Sequence, residues 1–140
     1  NKDNELTILV ATSGDTGSAV ANGFFNVDGI NVIILYPSNR VSAIQEKQLT
    51  TLGGNITALE IDGSFDDCQR MVKAAFQDID LRNRLSLSSA NSINMARLLP
   101  QSVYYAWAWK QYANNETVIF SVPSGNFGNL TGGLLANRMG

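Results

Sequence analysis

Apolar and polar positions along this chain sort it into short strands separated by longer helices. LTILVA (6–11) and NVIILY (31–36) are apolar runs rich in β-branched residues. NITALEI (55–61), LSLSS (85–89) and TVIFSV (117–122) are of similar length with weaker or similar patterning. Each run is bounded by Gly, Asn, Pro or Ser, as strands are. Helical spacing fills the intervals. Its clearest stretch is 64–82, where Phe65, Cys68, Met71, Val72, Ala75, Phe76 and Ile79 recur every three or four residues as one apolar stripe. Ser64 caps this helix, with Asp67 three residues on to reach back. Ser42 plays the same part before AIQEKQLTTLG, which stops at Gly53-Gly54. A helix over 16–26 follows the first strand. A longer one spans 94–113, with Leu98, Val103, Tyr105, Trp109 and Tyr112 as candidates for burial and Pro100 expected to kink or split it. Trp107, Trp109 and Tyr112 are expected in a core or a domain contact rather than in a site.

Strand–helix alternation at this spacing predicts parallel strands joined by crossovers, hence an α/β three-layer sandwich with a mainly parallel sheet. Ligands of such sheets collect where strand C-terminal ends meet helix N-termini. The first strand begins within a few residues of Asn1, and the final helix starts near Asn129 with no strand after it. The expectation is a fragment from the middle of a longer protein.

Composition narrows the chemistry. The chain has 140 residues, 44% of them hydrophobic and 16% charged, which is enough apolar matter for a core and too little charge for disorder. Net charge is −2 with no block of Lys or Arg, which argues against nucleic acid or a membrane surface as partner. There is no His and only one Cys, Cys68, so the chain holds no Ser–His or Cys–His couple, no His-ligated metal and no internal disulfide. No apolar run reaches membrane-spanning length, and residues 1–5 do not read as a signal peptide. A reducing, cytoplasmic setting is expected, with no metal.

Three strand-end stretches carry the candidate chemistry. ATSGDTGSA (11–19) places Thr12, Ser13, Asp15 and Thr16 around Gly14 and Gly17 at a helix N-terminus, which favours a carboxylate or phosphate. The same residues also serve as ordinary helix caps. SANSINMARLLPQ (89–101) supplies Asn91, Ser92 and Asn94, and an Arg97 fork one turn into the next helix. That set suits an oxyanion, or else polar capping beside a surface arginine. In Gly125-Asn126-Phe127-Gly128-Asn129, successive amides can form a nest around a phosphate, with Phe127 as packing; a plain tight turn fits as well. The GxGxxG and P-loop patterns are both absent. All three stretches fall at strand C-terminal ends, where unrelated turns have no reason to gather.

TSGDTGSA, NSINMARLLPQ and VPSGNFGNLTGG, in that order, resemble the threonine synthase family, a branch of the fold-type II pyridoxal-phosphate (PLP) enzymes, over residues 6 to 140. The resemblance implies conversion of O-phosphohomoserine and water to threonine and phosphate by γ-elimination and β-replacement. It implies that Gly125, Asn126, Phe127, Gly128 and Asn129 hold the PLP phosphate. Thr12, Ser13 and Thr16 would meet the substrate carboxylate or phosphate, and Asn91, Ser92 and Arg97 the substrate's phosphate end. Asp15 would stand near the cofactor's phenolic oxygen, where related enzymes often carry Asn. An ionised Asp15 would repel that oxygen, so it points elsewhere, takes up a proton, or serves as a cap.

PLP chemistry needs a Schiff-base lysine. Lys2, Lys47, Lys73 and Lys110 are the only lysines, and none stands in a family-like segment. That lysine is expected upstream of Asn1, so no residue of this chain is assigned to catalysis and the fragment alone is expected to be inactive. Residues 1–115 are expected to form most of a smaller α/β domain, and 116–140 to begin the larger cofactor domain. Two rival readings stand beside this one. One is another fold-type II enzyme, such as a threonine or serine dehydratase; the other is a non-catalytic relative that binds phosphate.

Overall fold

The structure is a computed structural model and describes residues 5–91, 94–112, 117–123, 125 and 127–140. The chain divides into two compact units, Asn1–Ala90 and Asn91–Gly140.

In the first unit the elements run β1 (Leu6–Ala11), α1 (Asp15–Phe24), β2 (Ile30–Pro37), α2 (Ala43–Thr50), β3 (Ile56–Ile61), α3 (Phe65–Gln77), α4 (Ile79–Arg84) and β4 (Ser86–Ser89). The strands pair in the order β3-β2-β1-β4, every pair parallel. Side chains alternate between the faces, and that alternation builds two cores. Ile8 and Val10 of β1 and Val32, Ile34 and Tyr36 of β2 pack with Ala21 of α1 and Leu49 of α2. Leu9, Ala11 and Leu35 point the other way, onto Cys68 and Val72 of α3. The expected three-layer sandwich is what the unit shows. Asn55 fastens its base: its amide donates to the carbonyls of Phe24 and Ile30, each at 2.8 Å, and its oxygen accepts from Asn26 N–H at 2.8 Å.

Ser42 and Ser64 both cap their helices as expected, each in a reciprocal box, with Gln45 and Asp67. The single helix expected over 64–82 is two. Asp78 leaves the helical region (φ −74°, ψ 113°), and its carboxylate accepts the Leu81 N–H at 2.9 Å to start α4. A short polar side chain that can bond nearby backbone competes with helix continuation, and here it wins. Ile79 accordingly falls outside the buried stripe and is exposed, and Met71, within α3, is exposed too.

The second unit holds a 3₁₀ turn (Met95–Arg97), α5 (Leu98–Tyr112) and α6 (Gly128–Met139). Pro100 neither kinks nor splits α5. It sits in the first turn, where its missing N–H would have no helical partner anyway. α5 and α6 pack closely through glycines. A Cβ on Gly132 would lie 3.0 Å from Gln101 Cβ, and one on Gly133 only 2.7 Å from the Tyr105 ring. Leu98, Ser102 and Tyr105 are the buried residues of α5. The wider burial expected for α5 is corrected: Val103 and Tyr112 are exposed, as are Trp107 (64%) and Trp109 (56%), so the aromatic group is not a core within this chain. The run 117–122 is likewise not a strand among the described residues, and Ile119 is 88% exposed. A strand exists only through a ladder with a neighbour, and this run has none there. Phe120 nonetheless sets its ring against Tyr105, with centroids 5.0 Å apart in an edge-on arrangement.

Candidate active site

β1 and β2 continue on one side of the sheet to β3, whereas β4 returns to the other flank of β1. The gap between β1 and β4 is therefore the point where strand order reverses, and crevices at such points are where open α/β sheets bind ligands. Leu9 pairs with Ser89 in register, so the loop after Ala11 and the loop after Ser89 leave from neighbouring strand ends.

The first loop is built around Thr12, whose side chain is 1% exposed. Its Oγ accepts the N–H of Gly14 at 3.2 Å and of Gly17 at 3.0 Å, and donates to the Gly14 carbonyl at 2.9 Å. Gly17 must be glycine, because a Cβ there would sit 2.5 Å from the Thr12 methyl. Gly14 is the N-cap residue of α1 and supplies no side-chain acceptor. Ser13, Asp15 and Thr16 therefore do not cap the helix. Ser13 and Thr16 are exposed, and their hydroxyls have no hydrogen-bond partner among the described residues. The direction of Asp15 is settled by Gln45 of α2, whose amide nitrogen donates to its carboxylate at 2.8 Å.

In the second stretch Ser92 lies outside the described residues. The Asn91 carbonyl accepts from Asn94 N–H at 3.0 Å. The Asn94 side chain then caps the 3₁₀ turn by accepting from Ala96 N–H at 3.0 Å. Arg97 closes that turn, its N–H bonded to the Asn94 carbonyl at 3.0 Å, and is half-buried.

In the third stretch Asn126 lies outside the described residues. Gly125 is exposed, and a Cβ there would meet nothing within 4 Å. Phe127 is the N-cap residue of α6 in the left-handed region (φ 55°), without a side-chain cap bond. A bulky side chain at positive φ is strained by about 1–2 kcal/mol. Such strain gathers at binding sites. The ring, expected as packing, is 63% exposed. Gly128 is buried, and Asn129 accepts the Tyr105 hydroxyl in its side-chain oxygen.

No family model matches the chain. It is 54% identical over 140 residues to the threonine synthase of Haemophilus influenzae, covering 99% of this chain and 33% of that protein. The Escherichia coli threonine synthase is 54% identical over 141 residues, again covering 99% and 33%. The chain belongs to the threonine synthase family. Its fold agrees with solved threonine synthases: the E. coli crystal structure superposes with a TM-score of 0.89 at 53% identity, over 99% of this chain and 33% of that one. The PLP-bound threonine synthase from Brucella melitensis gives 0.82 at 47% identity, over 98% and 30%. The chain thus spans about a third of the length of the threonine synthases it matches.

Two partners of the expected site residues went unread in the sequence. Gln45 bears on Asp15 from thirty positions away, and the only local trace of it is the Ser42–Gln45 capping pair. Tyr105 bears on Asn129 from twenty-four positions away and carries no local signal at all. Cys68, the lone thiol, is buried in the α3 core, and burial raises its pKa, so it is packing and not a nucleophile.

Proposed function

We propose that this chain forms part of a cytoplasmic threonine synthase, which converts O-phosphohomoserine and water to threonine and phosphate with PLP as cofactor. The observation that carries the reading is identity above 50% to threonine synthases along 99% of the chain, with the first two of the three motif loops leaving the ends of neighbouring strands. On this reading residues 1–115 supply most of the smaller domain, and 116–140 open the larger one.

The residues present suit anionic groups. At the start of α6, Gly125 leaves room for close approach, and the left-handed Phe127 turns the backbone into a helix start without a side-chain cap. Gly125 to Asn129 hold the cofactor's phosphate there, chiefly through main-chain N–H groups and the helix dipole. PLP, when bound, supplies the electron sink that eases bond breaking next to the substrate's amino-bearing carbon. Ser13 and Thr16 present hydroxyls, beside the N-terminus of α1, to the substrate's carboxylate or phosphate. Asn91, Ser92 and Arg97 take its phosphate end. Thr12, spent on the turn, shapes the loop; Asp15, drawn to Gln45, keeps its charge off the cofactor's phenolic oxygen.

Catalysis needs a lysine from elsewhere. Lys47, Lys73 and Lys110 are all exposed on helices, and Lys2 lies outside the described residues. The 140-residue chain alone should therefore show no absorption band with added PLP beyond that of free PLP, in contrast to the full-length enzyme. The deciding assay incubates the full-length protein with O-phosphohomoserine and measures phosphate and threonine together. Equal release of both is expected. Deamination of serine or threonine without phosphate release would overturn the assignment.

A further inference from the structure

Resting on the reading of the β1–α1 turn as a substrate-binding loop, we infer that Gln45 is a positioning residue that reserves the N-terminus of α1 for the substrate's anion. Both ends of its carboxamide are committed. The nitrogen donates to Asp15 at 2.8 Å, while the oxygen accepts from the N–H and the hydroxyl of Ser42, each at 3.1 Å. Ser42 Oγ in turn accepts Gln45 N–H at 3.3 Å. The carboxamide cannot rotate without losing either the cap of α2 or the link to Asp15.

The turn also leans on α2 through packing. A Cβ on Gly14 would touch Gln45 at 3.5 Å, and one on Gly17 would lie 3.0 Å from Leu49, one helical turn further along and 1% exposed. Gln45 and Leu49 together form the support beneath the loop.

The consequence is electrostatic. Asp15 is the first residue of α1, and a carboxylate in a helix's first turn is attracted to that helix's own free N–H groups. Left alone, Asp15 would compete with the substrate for the α1 N-terminus and repel it. Gln45 draws the carboxylate sideways onto α2, so that Ser13, Thr16 and the first N–H groups of α1 stay open. A neutral donor does this without adding a cation that would itself capture the substrate.

The test uses full-length enzyme. Gln45→Glu keeps the α2 cap, because a carboxylate accepts from Ser42 as the amide does, but it removes the donor and sets two carboxylates together. The expected result is a rise in KM for O-phosphohomoserine of about tenfold with kcat changed far less, the split that marks lost substrate binding. Adding Asp15→Asn to Gln45→Glu restores a donor–acceptor pair in the reverse sense and should recover most of the lost affinity. An unchanged KM in Gln45→Glu, or no recovery in the double variant, would overturn the inference. Ser13→Ala combined with Thr16→Ala separates this from the underlying reading. If KM stays unchanged there, the substrate-loop reading fails and the inference with it. If KM rises there but not in Gln45→Glu, the loop binds substrate and only the role of Gln45 is lost.

Discussion

Tyr105 of α5 donates its hydroxyl to the side-chain oxygen of Asn129, in the first turn of α6. The bond fixes the carboxamide of Asn129, one of the residues that the proposed function gives to the cofactor phosphate. Tyr105→Phe removes the hydroxyl and keeps the ring packed against Phe120. The expected loss is about 1 kcal/mol of stability, the net worth of one hydrogen bond, with weaker PLP binding in the full-length enzyme. Fluorescence titration of apoenzyme with PLP reads the second effect. Unaltered cofactor affinity would mean that Asn129 faces something else.

Thr12→Val is nearly isosteric and isolates the hydroxyl. It strips the acceptor from Gly17 N–H, a bond buried in the turn, at a cost of about 1–3 kcal/mol. Denaturant unfolding of the full-length enzyme should show this loss, and Thr12→Ser, which keeps the oxygen, should lose much less. A loss in Thr12→Ser as large as in Thr12→Val would mean that the Thr12 methyl contributes as much as its hydrogen bonds, and no loss in Thr12→Val would overturn the role of the hydroxyl.

Gly133 and Gly23 should respond to alanine with opposite signs. A Cβ at Gly133 would lie 2.7 Å from the ring of Tyr105, which its bond to Asn129 holds in place. Overpacking of this kind costs about 1–3 kcal/mol, more than alanine's helix preference returns. At Gly23 in α1 the added Cβ meets nothing within 4 Å, so Gly23→Ala should stabilise by about 0.5–1 kcal/mol. Thermal melts of the two variants, run side by side, check the signs.

Asp67 should titrate far below other carboxylates. The Ser64 hydroxyl and N–H, then the Arg70 guanidinium at 2.5 Å, hold its pKa at about 2, down from 3.8. A depressed carboxylate stabilises the fold fully above its unfolded value and loses that contribution as pH falls from near 3.8 towards 2. In Ser64→Ala the Asp67 carboxyl, followed by NMR, should titrate nearer 3.8. The stability gap between wild type and variant should then narrow below about pH 4.

Much of the sheet was readable because its information is local. The four apolar runs that became β1 to β4 each sit between turn residues, and the intervening helices dictate parallel pairing. Both serine caps were readable for the same reason, since serine and its partner lie three residues apart. What failed depended on something distant or on a close competition. The run 117–122 has strand composition, but pairing is supplied by a neighbour and not by the run itself. Asp78 suits the polar face of a long helix as well as it suits a cap, so periodicity ran straight through it. In the candidate site the loops and their residue types were legible, as was the conflict between Asp15 and a nearby anion. The hydrogen bond from Gln45 to Asp15 was not, because a contact across thirty residues leaves no periodic trace.

The reversal of strand order beside β1 bears on how this site can vary over evolutionary time. β1 and β4 touch along Leu6–Leu9 and Ser86–Ser89, yet each paired residue is eighty positions from its partner along the chain. Their outgoing loops thus start side by side without sharing a connection. An altered length or sequence in one need not be passed along the backbone to the other, so each loop is free to drift on its own.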